Sequence, residues 1–323
     1  MRIFRFLFLF LGVAFISCKQ PQHTITGKPD SNKFNAKIIP PKDIANRVGE
    51  GALLLTRFKS LEELKKVIQI EYSTTVPYST GALTPQPYVR LTFRNLDKEV
   101  TSILHFGINE PDFRVARDGH FWDRMILGLR CPYAVWYRND LLGIERLGRR
   151  RPWVYGKGDV AFYDVAETMV HNISDEDVMY MPSEDLSEKG YLNTFNHITA
   201  QAFMTSIYSE SIADFVADVH ERQHTELING NFTEDQLTDL EDGPIDNYVD
   251  LINNEWGQEL GKVLRQKYSI YQRTYWTPEL MADYLNDIQA YYSWVFQIGF
   301  KPFRENDEIV IRFAGKINTV NLQ

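Results

Sequence analysis

The segment DNYVDLINNEWGQELGKVLRQ, residues 246–266, decides the fold because its side chains repeat with the period of an α-helix. Its apolar residues recur every three or four positions and form one face: Val249, Ile252, Trp256, Leu260 and Val263. The stripe beside that face is polar and then small: Asp250, Asn253, Asn254, Gly257 and Gly261. A glycine inside a helix costs about 1 kcal/mol relative to alanine, so two on one stripe predict that another element approaches the backbone closely.

The segments before this helix predict two more helices in a helical domain that spans residues 156–323. From about residue 193, the side chains of Asn193 and His197 lie one turn apart and share a helix face. Ser209 precedes a run with apolar side chains at helical spacing, and serine is a preferred N-cap residue. We therefore expect one helix before Ser209 and another after it.

Three further features complete this domain. Residues 231–245 are rich in Asp, Asn, Gly and Pro, and they predict an acidic loop before the 246–266 helix. The pair Thr277-Pro278 places a capping residue before a proline at the first helical position, which predicts the start of another helix. The segment Ile309-Val310-Ile311-Arg312-Phe313 is rich in β-branched residues and predicts a short strand.

The first half of the chain has a mixed pattern, which predicts a small α+β region over residues 46–155. Ser60 precedes apolar residues at helical spacing, whereas residues 88–93 alternate between apolar and polar side chains as a strand does. The apolar run 100–106 follows closely, so the two runs predict a β-hairpin. Residues 111–165 are dense in aromatic and arginine side chains, and the pattern assigns them to neither helix nor strand. The chain as a whole is therefore predicted to be α+β, with a mainly α-helical C-terminal domain.

The amino-acid composition excludes several classes of protein. The chain has 35 basic and 43 acidic residues, a net charge of −8, which excludes a general nucleic-acid binder because such a protein needs surplus positive charge. A hydrophobic content of 44% excludes both wholesale disorder and a protein with many membrane spans. Two cysteines cannot make a disulfide scaffold, and Cys131, which lies among apolar neighbours, is predicted to be a buried core thiol.

Residues 1–17 have the pattern of a bacterial lipoprotein signal peptide. Arg2 and Arg5 form a positive start, and the apolar run that follows is shorter than the roughly 20 residues that span a bilayer. Phe15-Ile16-Ser17-Cys18 then resembles a lipobox, in which Cys18 receives a diacylglycerol and becomes the new N-terminus. Phe15 is bulkier than the residue usual at its position, and the alternative is an ordinary signal peptide followed by an incidental cysteine.

This signal predicts a lipid-anchored protein of the bacterial cell envelope, whose partner is the membrane through the anchor. Residues 18–45 contain four prolines among polar side chains, which predicts a flexible tether. Lys19, directly after the cysteine, is compatible with delivery to the outer membrane. An envelope glycan, peptide or protein is the further partner that this location suggests.

The segment His220-Glu221-Arg222-Gln223-His224 matches the zinc-peptidase motif H-E-x-x-H. On a helix, histidines four residues apart lie on one face and can bind one zinc, while the glutamate activates water. Asp218 and Arg222 weaken this interpretation, because peptidases with this motif favour uncharged residues there and an i, i+4 ion pair is typical of a solvated face. Asp250 or Glu255 would have to be the third ligand, at a spacing unlike that of known peptidase classes.

A polar pocket between three helices is the alternative site. The helix near residue 193, the Ser209 helix and the 246–266 helix would each contribute imidazole, carboxylate or amide groups. The predicted pocket residues are His197, His220, Glu221, Asp250, Asn253 and Asn254. Such groups supply general acid and base catalysis or bind a divalent metal such as zinc, although the sequence identifies no cofactor.

Three segments in this order resemble the signatures of a bacterial domain family of unknown function. They are Asn193-Thr194-Phe195-Asn196-His197, Ala217-Asp218-Val219-His220-Glu221 and Asp250-Leu251-Ile252-Asn253-Asn254-Glu255-Trp256-Gly257, against the family patterns N-x-F-R-H-A, A-x-x-H-E and D-L-x-N-N-x-x-G. Asn196 and Ile198 depart from the first pattern, which argues against any role that needs a positive charge at Asn196. His224 lies outside the second, so the resemblance favours the pocket over the peptidase. It implies a shared site over roughly residues 160–300 without naming a reaction.

The preferred hypothesis from the sequence is a membrane-anchored envelope lipoprotein with hydrolytic chemistry in this pocket. Glu221 or a histidine would act as general base, while Asp250 and the other histidine orient water, substrate or a divalent metal. Two alternatives stay open. The same residues would form a buried hydrogen-bond network in a non-catalytic binding or structural module, or His220 and His224 would bind zinc in a metallopeptidase. A cleft that reaches His220 and Glu221 favours a site, whereas a network closed to solvent favours a structural role.

Overall fold

The computed structural model describes residues 42–75, 86–95, 98–239 and 243–321, which form an α+β fold. As the sequence predicts, a small antiparallel sheet near the N-terminus is followed by helices. The predicted signal peptide, Cys18 and the tether up to residue 41 lie outside the described residues. No helix among the described residues combines the length and the apolar character that crossing a bilayer requires.

The elements have the following bounds. The strands are β1 (Ile68–Thr75), β2 (Gln86–Asn95) and β3 (Lys98–His105). The helices of the described residues are α1 (Lys42–Arg47), α2 (Leu61–Leu64), α3 (Glu110–Asp118), α4 (Phe121–Arg130), α5 (Pro132–Trp136), α6 (Arg138–Leu147), α7 (Pro152–Tyr155), α8 (Phe162–His171), α9 (Asp175–Val178), α10 (Asn193–Ile207), α11 (Glu210–Glu221), α12 (Glu226–Asn229), α13 (Glu234–Thr238), α14 (Pro244–Lys267), α15 (Pro278–Phe296) and α16 (Glu308–Asn321). A 3₁₀ turn, Leu55–Arg57, and a π-helical turn, Glu188–Leu192, complete the list.

The sheet is a meander in which β2 pairs antiparallel with both neighbours. Phe93 of β2 lies opposite Ile68 of β1 and Val100 of β3. Alternate side chains of β2 and β3 are buried against α14, where the rings of Phe93 and Trp256 meet edge to face with centroids 6.1 Å apart. The predicted hairpin is therefore confirmed, and the alternation that predicts it reflects one buried face.

Helices α10 and α14 form the centre of the helical part and run parallel to each other. Three polar pairs, each separated by 57 residues in sequence, connect them at successive turns: Asn193 with Asp250, His197 with Asn254, and Gln201 with Gln258. The helices come closest at Gly257 and Gly261, where an added Cβ would lie 2.7 Å from a carbonyl oxygen of α10 in each case. The predicted close approach at these two glycines is confirmed.

Local capping explains where several helices begin. Ser60, Ser209 and Thr277 each accept a hydrogen bond from the backbone N–H three residues further on. Pro278 occupies the first turn of α15, where its missing N–H has no helical partner to lose. These predicted starts are confirmed. The helix after Ser60 is only four residues long, however, and the chain continues at Ile68 as strand β1.

The predicted strand over residues 309–313 is wrong, because this segment lies within α16. Its β-branched residues favour a strand when they are considered alone. The apolar side chains that are buried, however, recur at helical spacing: Val310, Phe313, Ala314 and Ile317. Phe313 meets Phe162 of α8 edge to face with ring centroids 5.6 Å apart, so tertiary packing overrides the local β propensity.

Residues 46–155 contain both strands and helices, and the strands end with β3. From Glu110 onward this region consists of the short helices α3 to α7. Helix α1 begins at Lys42, so the last residues of the predicted tether are helical. The predicted loop over residues 231–245 contains the short helix α13.

One hydrophobic core joins both halves of the chain, from Ile44 to Val320. Phe195 and Tyr292 stack within it with ring centroids 4.0 Å apart. Cys131 is buried at the junction of α4 and α5, as predicted, and burial raises the pKa of its thiol. The sheet region therefore packs directly on the helices that carry the candidate site.

Candidate functional site

The structure brings His197, Glu221 and Asp250 together from α10, α11 and α14. Their possible ligand atoms, one imidazole nitrogen and two carboxylate oxygens, lie within 4.8 Å of one another. Glu221 and Asp250 are buried, and the His197 side chain is 16% exposed. Elsewhere in the described part of the chain, no other group of three His, Cys, Asp or Glu side chains has this spacing. This cluster is the candidate metal centre.

Two neighbours on α14 fix the orientation of the His197 ring. Its Nδ1 lies 3.0 Å from Oδ1 of Asn254, and its Nε2 lies 3.2 Å from Oδ2 of Asp250. When Nδ1–H donates to Asn254, Nε2 keeps a lone pair on the side of Asp250, which is the usual arrangement of a metal-binding histidine. Burial and the nearby His220 lower the pKa of His197 to about 4, so the ring is neutral near pH 7.

A chain of hydrogen bonds holds the two aspartates of α14. Asn193 donates to Oδ1 of Asp250 at 2.8 Å and to Oδ1 of Asp246 at 3.3 Å. Lys189 donates to Oδ2 of Asp246 at 2.7 Å. Lys189 lies in the π-helical turn that leads into α10, and Asn193 is the first residue of that helix, so this turn positions both donors.

The site has an excess of negative groups. Burial raises the pKa of Asp246 to about 7, even though Lys189 opposes the shift. Burial also raises the pKa values of Asp250 and Glu221, and at Glu221 the two aspartates add to the rise. The carboxylate of Glu221 accepts no hydrogen bond from the described residues. A bound cation would stabilise the ionised form of each acid.

His220 lies beside this cluster and pairs with Glu110, the first residue of α3. Its Nδ1 is 3.5 Å from Oε2 of Glu110, and its side chain is 34% exposed, whereas Glu110 is buried. Burial lowers the pKa of His220, but the Glu110 and Glu221 carboxylates outweigh it and raise the pKa above its usual range. His220 is therefore a cationic group that links the site to solvent.

The structure contradicts the helix that the H-E-x-x-H motif requires. Helix α11 ends at Glu221, and the N–H of His224 donates to the carbonyl oxygen of Glu221 in a tighter turn. His220 and His224 therefore do not lie one turn apart on a helix face. Neither belongs to the cluster that has the spacing of metal ligands.

The ion pair between Asp218 and Arg222 is present, but it is buried rather than part of a solvated helix face. Arg222 also donates to the carbonyl oxygens of His105 and Ile108, at 2.7 and 3.5 Å. These bonds tie the C-terminal end of α11 to the end of β3. They hold Glu221, the last residue of α11, in place relative to the sheet.

Asn253 shares α14 with the site residues but contacts the N-terminal region. Its side chain accepts the N–H of Leu53 at 2.8 Å and donates to the carbonyl oxygen of Leu53 at 2.9 Å. Thr194 donates to the same carbonyl oxygen at 3.0 Å. Four of the six predicted pocket residues therefore lie at the cluster: His197, Glu221, Asp250 and Asn254. His220 lies beside it, and Asn253 forms hydrogen bonds with the backbone of Leu53, which precedes α2.

Asp246, Lys189 and Glu110 belong to the site but were missed by the sequence reasoning. Asp246 precedes Asp250 by one helical turn, so the spacing contained a signal for it. Lys189 lies one turn before Asn193, but the helix start that aligns them is visible only in the structure. Glu110 left no signal, because it reaches His220 only through the packing of α3 on α11.

The cluster lies beside partly exposed side chains. Four residues on one face of α10 are partly exposed: Asn193, Asn196, His197 and Ala200. The side chain of His220 is 34% exposed, whereas the carboxylates of Glu221 and Asp250 are buried. Of the two residues that a cleft was expected to reach, His220 is partly exposed and Glu221 is 2% exposed.

The chain matches no protein-family model, no curated protein and no solved structure. The resemblance to the family with three ordered signatures therefore stays a prediction. The chemistry of the site follows from its own side chains.

Proposed function

We propose that this protein is a lipid-anchored envelope hydrolase whose divalent metal is held by His197, Glu221 and Asp250. The observation that supports it most is the convergence of one neutral imidazole and two buried carboxylates from three different helices. A structural network gains nothing from crowded acids, since amides would make the same hydrogen bonds without the cost of burying charge.

The donor set suits a divalent transition metal such as Zn²⁺, Mn²⁺ or Fe²⁺, because imidazole nitrogen and carboxylate oxygen are their common ligands. Two ligands at about 2.0–2.2 Å from one ion are about 3–3.5 Å apart, and His197 Nε2 lies 3.2 Å from Asp250 Oδ2. Three protein ligands leave a coordination position for water, which is typical of catalytic rather than structural sites.

A divalent cation in this cluster would supply a bound water that ionises near neutral pH. The residues of the chain would contribute orientation and proton transfer. Asn254 holds the His197 ring and Asn193 holds Asp250, so two ligands are oriented in advance. His220 reaches solvent beside the cluster and is placed to donate a proton to a leaving group, with Glu110 as its positioning residue.

In this proposal, the lipid on Cys18 places the hydrolase in the bacterial cell envelope, at the outer membrane. An envelope glycan or peptide is then the substrate class within reach of the tethered domain. The net charge of −8 supports a substrate other than nucleic acid.

Metal content tests the proposal directly. The full chain, purified without chelator, is expected to hold about one equivalent of a divalent metal by plasma mass spectrometry. His197→Ala and Asp250→Asn should lose it. His224→Ala is the matched control and should retain it, because His224 lies outside the cluster.

Two results would count against this proposal. Loss of metal in His224→Ala would mean that the ligands differ from those assigned. A chain that holds no metal and takes up neither zinc, manganese nor iron would favour the non-catalytic module. The observation that supports such a module is the ladder of polar pairs between α10 and α14.

A further inference from the structure

Exposed apolar side chains are concentrated in a short part of the chain, far in sequence from the metal-site residues. Of the twenty large apolar side chains that are exposed among the described residues, ten lie between residues 121 and 154. Three of the six tryptophans are exposed, and all three belong to this segment: Trp122, Trp136 and Trp153. Scattered exposed apolar residues are normal, but such a concentration marks an interaction surface.

Helix α4 turns its apolar stripe outward. Trp122, Met125, Ile126 and Leu129 follow the i, i+3, i+4, i+7 spacing that usually marks a buried face, yet Trp122 is 64% exposed and Leu129 is 73% exposed. Two charged residues of the helix form hydrogen bonds with backbone groups of the protein. Asp123 accepts the backbone N–H of His120, and Arg124 donates to carbonyl oxygens at the end of α3.

Helix α5 extends the same surface. It follows α4 directly, since Cys131 ends one helix and begins the other. Gly128 of α4 packs on Val135, because a Cβ at Gly128 would lie 3.2 Å from the Val135 side chain. Next to Val135, Trp136 is 77% exposed. The exposed side chains of the two helices define what we call the α4–α5 surface: Trp122, Met125, Ile126, Leu129, Val135 and Trp136.

The segment that contains this surface has a net charge opposite in sign to that of the whole chain. Residues 110–155 contain nine arginines and six acidic residues, a net charge of +3, whereas the chain carries −8. Arg114 on α3 and Arg130 on α4 are each more than half exposed, and they form ion pairs with Glu110 and Asp112. Arginines near exposed tryptophans form the combination that binds the interface of an anionic bilayer, where the rings lie at the headgroup level.

We propose that the α4–α5 surface lies in the interface of a bilayer that contains anionic lipid and so holds the domain against the membrane. A lipid surface fits these side chains better than a protein partner, because tryptophan, leucine, isoleucine and methionine on one helix face with arginine around them match an interfacial helix. Residues 18–41 span at most about 80 Å when extended, so the predicted tether allows this contact with the anchoring membrane. The proposal is independent of the metal site.

Tryptophan fluorescence gives a direct test. The full chain with Cys18→Ser carries no lipid, and residues 1–41 contain no tryptophan, so insertion of the N-terminal segment alone leaves tryptophan emission unchanged. Vesicles of phosphatidylcholine and phosphatidylglycerol should shift the emission to shorter wavelength, and brominated acyl chains should quench it. Vesicles of phosphatidylcholine alone should have a weaker effect.

Two matched double variants locate the contact. Ile126→Asp with Leu129→Asp adds two charges to the α4–α5 surface and should weaken vesicle binding, measured by quenching, at least roughly tenfold. Tyr275→Asp with Ile311→Asp adds the same two charges at exposed apolar positions elsewhere and should have little effect. Trp136→Ser, at a position that is mostly exposed, removes a reporting ring, so its loss of binding is measured by vesicle co-sedimentation and gives an independent test if the first variant does not fold.

Unchanged emission of the parent chain with anionic vesicles would overturn the proposal. Equal quenching of the parent chain and the Ile126 and Leu129 variant would overturn it as well. A third contradicting result would be a dimer in analytical ultracentrifugation that the same variant abolishes, without any quenching by lipid, because a second copy of the chain would then cover the surface.

Discussion

Replacing Glu221 by glutamine should stabilise the metal-free protein at pH 8 and at the same time abolish its stabilisation by metal. Glu221 is 2% exposed, accepts no hydrogen bond from the described residues, and lies near Asp246 and Asp250. The amide of glutamine has nearly the same shape but carries no charge. The substitution therefore removes a desolvation cost without opening a cavity.

The size of the gain follows from the balance of charges around Glu221. An ionised carboxylate loses several kcal/mol of solvation when it is buried, and the partly exposed His220 offsets part of this loss. We expect the free energy of unfolding to rise by about 1–3 kcal/mol at pH 8. For a folded chain of this size, that gain raises Tm by about 2–6 °C.

The stabilisation by Glu221→Gln should increase as pH rises from 5 to 8. Burial and the neighbouring aspartates raise the pKa of Glu221 in the folded state above its value in the unfolded chain. The folded state then retains a proton that the unfolded chain releases, so this group lowers stability as pH rises from the unfolded pKa to the folded one. The stability difference between Glu221→Gln and the parent should therefore be small at pH 5 and largest at pH 8.

Thermal unfolding by circular dichroism, at pH 5 and pH 8, with chelator or with added Zn²⁺ or Mn²⁺, measures both effects. The parent should gain stability from metal at pH 8, and Glu221→Gln should gain little. Glu210→Gln on the same helix is the matched control, because the ion pair of Glu210 with Lys262 is exposed and contributes less than about 1 kcal/mol. A chelated Glu221→Gln variant that is less stable than the parent at pH 8 would refute the reasoning, since the carboxylate would then be a favourable structural group.

Four other substitutions, one of them a control, test separate parts of the structure. Asn253→Ala leaves the backbone N–H of Leu53 without its acceptor, while Thr194 still donates to the Leu53 carbonyl oxygen, and should lower the free energy of unfolding by about 1–3 kcal/mol in urea titrations, with the metal content unchanged. Gly257→Ala places a Cβ 2.7 Å from a carbonyl oxygen of α10 and should cost at least about 1–3 kcal/mol, whereas Gly315→Ala, which faces open space in α16, should be neutral or gain up to about 1 kcal/mol. Glu110→Gln should lower the pKa of His220 in a proton NMR titration, because a carboxylate that favours the imidazolium is removed.

The parts of the fold that the sequence predicts correctly are those in which local and tertiary preferences agree. Helix α14 shows a helical period in both its apolar face and its small residues, and Ser209 and Thr277 cap helices through bonds to backbone only three residues away. In α16 the two preferences conflict, because a segment rich in β-branched residues forms a helix whose Phe313 packs on Phe162 of α8. Helix α4 has a clear apolar stripe that faces solvent, so its period carries no information about the core.

The candidate site was predictable to the extent that it depends on helical spacing. The ladder between α10 and α14 aligns residues four apart on each helix, and this brings His197 to Asp250 and Asn254. Glu110 was not predictable, because its approach to His220 depends on how α3 packs. The H-E-x-x-H motif wrongly indicated two histidines on one helix face, because the helix ends inside the motif. Side-chain and turn contacts set this boundary, not helix propensity.

The charge balance of the cluster gives a reason for acidic residues at positions 246, 250 and 221. Lys189 pairs with Asp246, and Asn193 donates a hydrogen bond to Asp250. Glu221 has no comparable partner among the described residues, although it lies at the buried end of a helix that Arg222 ties to the sheet. A buried carboxylate without a hydrogen-bond donor lowers stability, and such a cost is typical of functional sites where a ligand offsets it. A cation between Glu221, Asp250 and the neutral His197 would offset this cost, which is why metal binding and the Glu221→Gln substitution should stabilise the protein by the same route, one replacing the other.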